Sequence, residues 1–173
     1  MKFPEEIRIG PSPTGKGCRL ESVQFLPVGL DELFAFFSNA FELEGLTPAW
    51  LNFRVTTPAP IVISVGTRIN YRLRLRGIPL GWQSLISVWE PPFRFVDEQV
   101  HGPYRRWYHE HRFETVAGGT VCYDTVDYAV YGGALIERWL VRPDLLKIFA
   151  YRREQLEQRF GTANSISHQS EKV

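Results

Sequence analysis

Arg68-Ile69-Asn70-Tyr71-Arg72-Leu73-Arg74-Leu75-Arg76 is the stretch that decides the fold. Polar residues alternate strictly with Ile69, Tyr71, Leu73 and Leu75. A period of two sends alternate side chains to opposite faces, so the stretch predicts a strand with one wet face and one buried face. The arginine row reads as the solvated side of a sheet. The chain carries 20 basic against 19 acidic residues, which gives no support for a polyanion-binding surface.

Working downstream, Gly77-Ile78-Pro79 breaks this strand and Trp82 to Trp89 forms the next, stopped by Pro91-Pro92. Phe93 to Val100 follows up to Gly102-Pro103, then Tyr104 to Glu114 up to Gly118-Gly119, and Thr120 to Val130 is the last. Turns at such even spacing predict a meander of antiparallel neighbours. Upstream, Cys18 to Leu26 reads as a first strand. Leu30 to Phe37 has helical spacing, and a second short helix covers Phe41 to Leu46, closed by Pro48. Residues 1–17 are rich in Pro and Gly and read as an irregular arm.

The chain finishes with a helix. Pro143 suits a first helical position and Asp144 the first turn. Leu145, Phe149, Leu156 and Phe160 form an apolar stripe, with Arg152 and Arg153 expected near its wet edge. Gly161 stops the helix, and the polar residues 162–173 are expected to be a disordered tail. The domain is therefore 18–161. The expected class is α+β: a curved antiparallel sheet wrapped around a long C-terminal helix, with two short helices after the first strand.

A chain of 173 residues fits one domain, and 44% hydrophobic with 14% aromatic residues is ample for a core. The N-terminal Met1 to Glu6 lacks the apolar run of a secretory signal, and no stretch reaches the roughly 18 apolar residues of a membrane span. Two cysteines, Cys18 and Cys122, make no disulfide framework. Two buried thiols are expected rather than a bridge. A cytoplasmic location follows, with no nucleic-acid partner and no membrane span. Oligomeric state is not written in the sequence.

Several motifs are shared with a known superfamily. They include Phe36-Phe37, Leu46-Thr47-Pro48, Gly66-Thr67, Trp89-Glu90-Pro91-Pro92 and Phe95-Val96-Asp97-Glu98-Gln99. Further along come Gly102-Pro103-Tyr104, Trp107-x-His109-x-His111-x-Phe113, Asp124-x-Val126-x-Tyr128 and Ile148-Phe149-x-Tyr151-Arg152. Across roughly residues 20–160 the chain resembles the START-like, or SRPBCC, superfamily of helix-grip ligand-binding domains, which also holds the polyketide cyclases and the birch-pollen-type allergens. The resemblance implies an internal ligand cavity but no chemistry, because carriers, hydrolases and cyclases share this fold.

One motif is rejected. Gly10-Pro11-Ser12-Pro13-Thr14-Gly15-Lys16-Gly17 imitates the spacing of a phosphate-binding loop. Position 17 lacks the hydroxyl that such a loop offers magnesium, Pro11 and Pro13 have no N–H for a phosphate, and the next element reads as a strand.

Trp107, His109, His111 and Phe113 share one face of their strand, while Arg106, Tyr108, Glu110 and Arg112 share the wet one. A His-x-His pair can begin a metal site, but the sequence offers no convincing third ligand, so no metal and no cofactor are expected. Taking Gly118-Gly119 as a two-residue turn places Phe113 opposite Asp124, His111 opposite Val126 and His109 opposite Tyr128. Asp124 then lies inside, diagonal to His111, as a structural partner or an acid/base group. A three-residue turn would instead put Tyr123 and Asp127 inside.

The expected ligand-binding set is Tyr71, Trp89, Trp107, His109, His111, Asp124, Tyr128 and Phe149, around a pocket of the usual ~300–1,000 Å³. No nucleophile elbow or Cys-His signature is visible, so no catalytic residue is assigned. The expected function is binding of a small hydrophobic molecule: a lipid, polyketide or aromatic metabolite. The alternative is a cyclase/aromatase- or hydrolase-type enzyme using the same His and Asp groups as acid and base.

Overall fold

In the computed structural model, which describes residues 6–162, the alternating stretch is a strand. Counting in chain order it is β4 (Arg68–Leu75), and Ile69, Tyr71 and Leu73 are buried while Arg68, Arg72 and Arg74 are exposed. Arg76 and Gly77 both take positive φ, 51° and 84°, and join β4 to β5 (Ile78–Glu90) in a two-residue turn. Paired left-handed residues match the twist of the flanking strands, so β5 begins at Ile78, earlier than the expected Trp82.

The meander continues through β6 (Arg94–His101), β7 (Tyr104–Val116) and β8 (Gly119–Val130). Before it lie β2 (Cys18–Leu26), α1 (Leu30–Phe37), α2 (Glu42–Gly45), a 3-10 turn at Ala49–Leu51 and the two-residue edge strand β3 (Arg54–Val55). All pairings are antiparallel, in the order β1-β2-β8-β7-β6-β5-β4-β3. With the closing helix α4 (Arg142–Phe160), this is the helix-grip arrangement.

The irregular arm needs correction. Ile7–Pro11 forms β1, paired with β2 from Ile7↔Ser22 to Pro11↔Cys18. Ile7 and Ile9 pack against the cluster of Leu20, Val126, Leu145 and Phe149, and Pro11 ends an outermost strand, where its missing N–H costs little. The phosphate-loop mimic is the connection between β1 and β2. It closes with Ser12 N–H donating to Gly17 O, and Ser12 Oγ donates to Asp127 Oδ1 at 2.8 Å. Of the expected arm and tail, residues 1–5 and 163–173 lie outside the described residues.

The C-terminal helix also starts earlier than Pro143. A short α3 (Gly133–Ile136) runs through a π-helical turn (Glu137–Val141) into α4. Leu145, Phe149 and Leu156 of the stripe are buried, and Phe160 meets Phe36 edge-on at 5.2 Å between ring centres. Arg152 is the exception to the expected wet edge. It is 8% exposed and points to the sheet with the stripe, whereas Arg153 donates to the Val23 carbonyl at 2.7 Å. Cys18 lies opposite Tyr128 and Cys122 opposite Gln24, so the two free thiols are far apart along their strands. No described helix is long and apolar enough to cross a membrane.

Candidate functional site

The inner face of the sheet is laid out by three neighbouring strands. Register pairs His109 with Asp97 of β6 and Val126 of β8, and His111 with Phe95 of β6 and Asp124 of β8. The connection from β7 to β8 is the two-residue turn Ala117-Gly118, flanked by Val116↔Gly119, not Gly118-Gly119. Gly118 supplies the positive φ of 85° that this turn requires. The true register is thus slipped by two residues from the expected one. A slip of two preserves parity, so Asp124 still faces inward, but directly opposite His111.

The four side chains interlock. His109 Nε2 lies 2.9 Å from Asp124 Oδ1, and His109 Nδ1 lies 3.6 Å from Asp97 Oδ1. His111 Nε2 is 3.4 Å from Asp97 Oδ1. His111 Nδ1 is 2.8 Å from Asp124 Oδ1 but off the line that a hydrogen bond needs. The imidazole centres are 3.8 Å apart, and Phe95 stacks on His111 at 4.3 Å. Ser84 Oγ donates to Asp97 Oδ2 at 3.3 Å and receives the Trp82 indole N–H at 3.0 Å, which anchors the second carboxylate. From α4, Arg152 Nη1 approaches Asp124 Oδ1 to 3.7 Å, while its Nε and Nη1 are buried without a hydrogen-bond acceptor.

Electrostatics follow from burial and proximity. Burial pushes the Asp124 carboxyl up, but His111, His109 and Arg152 together hold it well below the usual carboxylate range. Asp97 is lowered for the same reasons, with His111 the main opponent of burial. Burial and the neighbouring His111 pull His109 down to about 4. Burial also acts downward on His111, but the Asp124 and Asp97 carboxylates outweigh it and raise the imidazole.

This cluster borders a cavity of about 180 Å³, smaller than expected, between the inner face of β4–β7 and the helices. Of the expected set, Tyr71, Trp89, Trp107, His109, His111 and Phe149 line it. Two expected residues do not. Asp124 sits behind the histidines at 5% exposure, braced against both. Tyr128 is sealed at 0% exposure, its hydroxyl donating to Glu137 Oε1 at 2.7 Å, and Arg142 grips that carboxylate with two further bonds. Its full burial and the buried acceptor that its hydroxyl meets make Tyr128 a structural strut.

Two lining residues were missed. Arg152 completes the stripe 145, 149, 152, 156, whose steps of four, three and four are those of one helix face. Its charge, not its position, assigned it to the surface. Asp97 shares parity with Phe95, and its carboxylate supplies the third ligand-type atom that the sequence seemed to lack: donor atoms of Asp97, His109 and His111 lie within 4.8 Å of one another.

No protein-family model and no curated protein matches the chain. Solved structures do match its fold. A protein from Mycobacterium smegmatis superposes with a TM-score of 0.64 at 12% identity, covering 88% of this chain and 96% of that one. A Rhodobacter sphaeroides protein gives 0.60 at 22% identity, with 89% and 97% covered. The major latex-like protein 151 of Panax ginseng gives 0.62 at 11% identity, with 82% and 96% covered. The likeness is one of fold, shared with plant and bacterial proteins of widely diverged sequence.

Proposed function

We propose that the chain binds a small, mostly apolar molecule in the cavity, with one acceptor group of that molecule turned toward Arg152. The observation that carries this reading is Arg152 itself. Its guanidinium is buried at the cavity wall with two nitrogens that have no acceptor. Buried donors are satisfied in the great majority of cases, so a site that leaves two open is shaped for an acceptor that arrives with a ligand. Beyond Ser84, Asp97, His109, His111 and the polar residues between Ser38 and Thr47, the wall is aromatic and aliphatic, and burial of ligand surface there contributes about 25 cal/mol per Å².

Size narrows the class. A dry cavity of about 150 Å³ holds benzene, so ≈ 180 Å³ suits a single-ring molecule rather than a lipid chain. Acetophenone and ethylbenzene test this, since they differ chiefly in one carbonyl acceptor. Titration followed by Trp fluorescence, with Trp82, Trp89 and Trp107 all at the wall, should show saturable binding of both and tighter binding of acetophenone. Arg152→Met should remove the difference and keep ethylbenzene binding. Failure of both molecules to bind, together with no small molecule co-purifying in native mass spectrometry, would sink the reading.

A further inference from the structure

We infer that Asp97, His109 and His111 form a binding site for one divalent first-row transition metal ion, with Asp124 holding the two imidazoles from behind. The inference starts from counting protons. Four nitrogen–oxygen approaches tie the two rings to two carboxylate oxygens: His109 Nε2 and His111 Nδ1 face Asp124 Oδ1, and His109 Nδ1 and His111 Nε2 face Asp97 Oδ1. A neutral imidazole has one N–H. Two neutral rings satisfy the two approaches that have hydrogen-bond geometry, His109 Nε2 to Asp124 and His111 Nε2 to Asp97, and leave the lone pairs of His109 Nδ1 and His111 Nδ1 beside carboxylate oxygens at 3.6 and 2.8 Å. The arrangement calls for a cation on one side.

The Asp97 side is the one built for it. An ion on that side puts the His111 proton on Nδ1, 2.8 Å from Asp124 Oδ1, where a turn of the ring is needed for it to donate, and His109 Nδ1 and His111 Nε2 then present lone pairs beside Asp97 Oδ1 from 3.6 and 3.4 Å. Bonds of about 2.1 Å from one ion to imidazole nitrogen and carboxylate oxygen, spread at a tetrahedral angle, place neighbouring donors about 3.4 Å apart. The two separations from Asp97 Oδ1, 3.6 and 3.4 Å, are close to that value, and all three donor atoms lie within 4.8 Å of one another. Asp124 then occupies the position of the outer carboxylate that fixes tautomer and ring orientation in metal-bound histidines. Ser84 does the same for Asp97 through its other oxygen.

Charge agrees. With both histidines neutral, as metal ligands must be, Asp97 and Asp124 carry two negative charges against the single positive charge of Arg152, all of them largely buried. A divalent ion turns that deficit into one positive charge. A fourth donor from the cavity, such as a hydroxide or the acceptor oxygen of a bound molecule, would offset it. All three ligating residues line the cavity, so the ion's remaining coordination position opens onto it. The two-histidine, one-carboxylate set suits zinc, cobalt or iron(II), and not calcium or magnesium, which prefer all-oxygen ligands.

The test uses the full chain stripped with a chelator and titrated with Co²⁺, then Zn²⁺. One equivalent of Co²⁺ should produce the intense visible bands of a low-coordinate ion, and one equivalent of Zn²⁺ should bleach them. In ¹H–¹⁵N spectra of the imidazoles, two of the four histidines should move on Zn²⁺ addition, and His101→Ala should leave both of them moving. Asp97→Ala should weaken Zn²⁺ binding at least about 100-fold, and Asp124→Asn about 10- to 100-fold, as outer carboxylates do. No stoichiometric binding by the wild-type chain overturns the inference and leaves shared protons as the cation. So does binding that Asp97→Ala preserves, or a spectrum in which His101 or His168 moves instead. The wild-type spectra decide even if the variants fail to fold. Acetophenone titration of the stripped protein is read separately, so failure of the metal site and failure of the ligand reading are distinguishable.

Discussion

Replacing Arg152 by Met separates a ligand-facing arginine from a structural one by its effect on stability. The guanidinium lies 3.7 Å from Asp124 Oδ1, and two unit charges at that distance attract by about 4 kcal/mol at an effective dielectric of about 20. Against this stand two buried nitrogens without acceptors, each costing about 1–3 kcal/mol, or about 2–6 kcal/mol together. Methionine keeps most of the length of the apolar stem, gives up the guanidinium's contact 5.0 Å over the Phe149 ring, and removes both penalties with the attraction. Asp124 keeps its contacts to His109 and His111, so it is not abandoned. The terms cancel to within about 2 kcal/mol, which for a chain of this length moves Tm by no more than about 4–8 °C. Urea denaturation followed by far-UV circular dichroism measures the difference directly. A loss of more than about 3 kcal/mol would refute the reasoning, because it would mean that Arg152 is the far half of a buried ion pair, whose breakage typically costs about 3–5 kcal/mol.

Tyr128→Phe should cost about 1–2 kcal/mol through the lost hydrogen bond to Glu137, and leave acetophenone affinity unchanged; a changed affinity would return Tyr128 to the cavity wall. Asp127 should give acid-sensitive stability. Burial pushes its carboxyl up, but Arg19 at 2.6 Å and Ser12 at 2.8 Å more than reverse this, so its folded value lies below the unfolded one. The unfolded chain then takes up the proton first. The contribution is complete above the unfolded value of 3.8 and fades as pH falls through the folded value. Arg19→Gln should therefore lower stability by about 1 kcal/mol at pH 7 and by much less near pH 2, as read by urea titration at both; an equal loss at both pH values would count against the pairing.

What was legible in the sequence was whatever a local period encodes. Strand β4, the run β5–β8, helix α1 and the long helix all follow from alternation or a helical stripe, and none needs knowledge of a partner. Strand β1 was not legible, because Ile7 and Ile9 become a strand only by pairing with β2 and meeting Leu145 and Phe149, while Gly10, Pro11 and Pro13 argue locally for a loop. The start of the last helix was hidden by Gly132 and Gly133, whose φ values of 88° and 76° read as a break, and by a π turn that no simple periodicity anticipates.

The site was half legible, and the missing half has a geometric cause. Parity alone put His109, His111 and Asp124 on the inner face, and it survived a register error of two residues. Asp97 required the register between β6 and β7. A plain two-residue turn at Gly102-Pro103 would set Asp97 opposite Tyr108, on the outer face. Instead the Gln99 side chain takes over the ladder near the turn, donating to Tyr104 O at 2.7 Å and accepting from Tyr104 N–H at 3.1 Å. That irregularity shifts the pairing by one, so Asp97 meets His109. Neighbouring Phe95 and Val96 are both buried, so apolar alternation could not correct the error. One residue of register at a turn thus decides whether the second carboxylate joins the histidines. The two rows that result, Asp97–His109–Val126 and Phe95–His111–Asp124, each give one histidine an acid on one side and an apolar wall on the other. Because the acids stand on opposite sides, each ring spans both carboxylates, and no member of the cluster can be altered without changing the proton count of the rest.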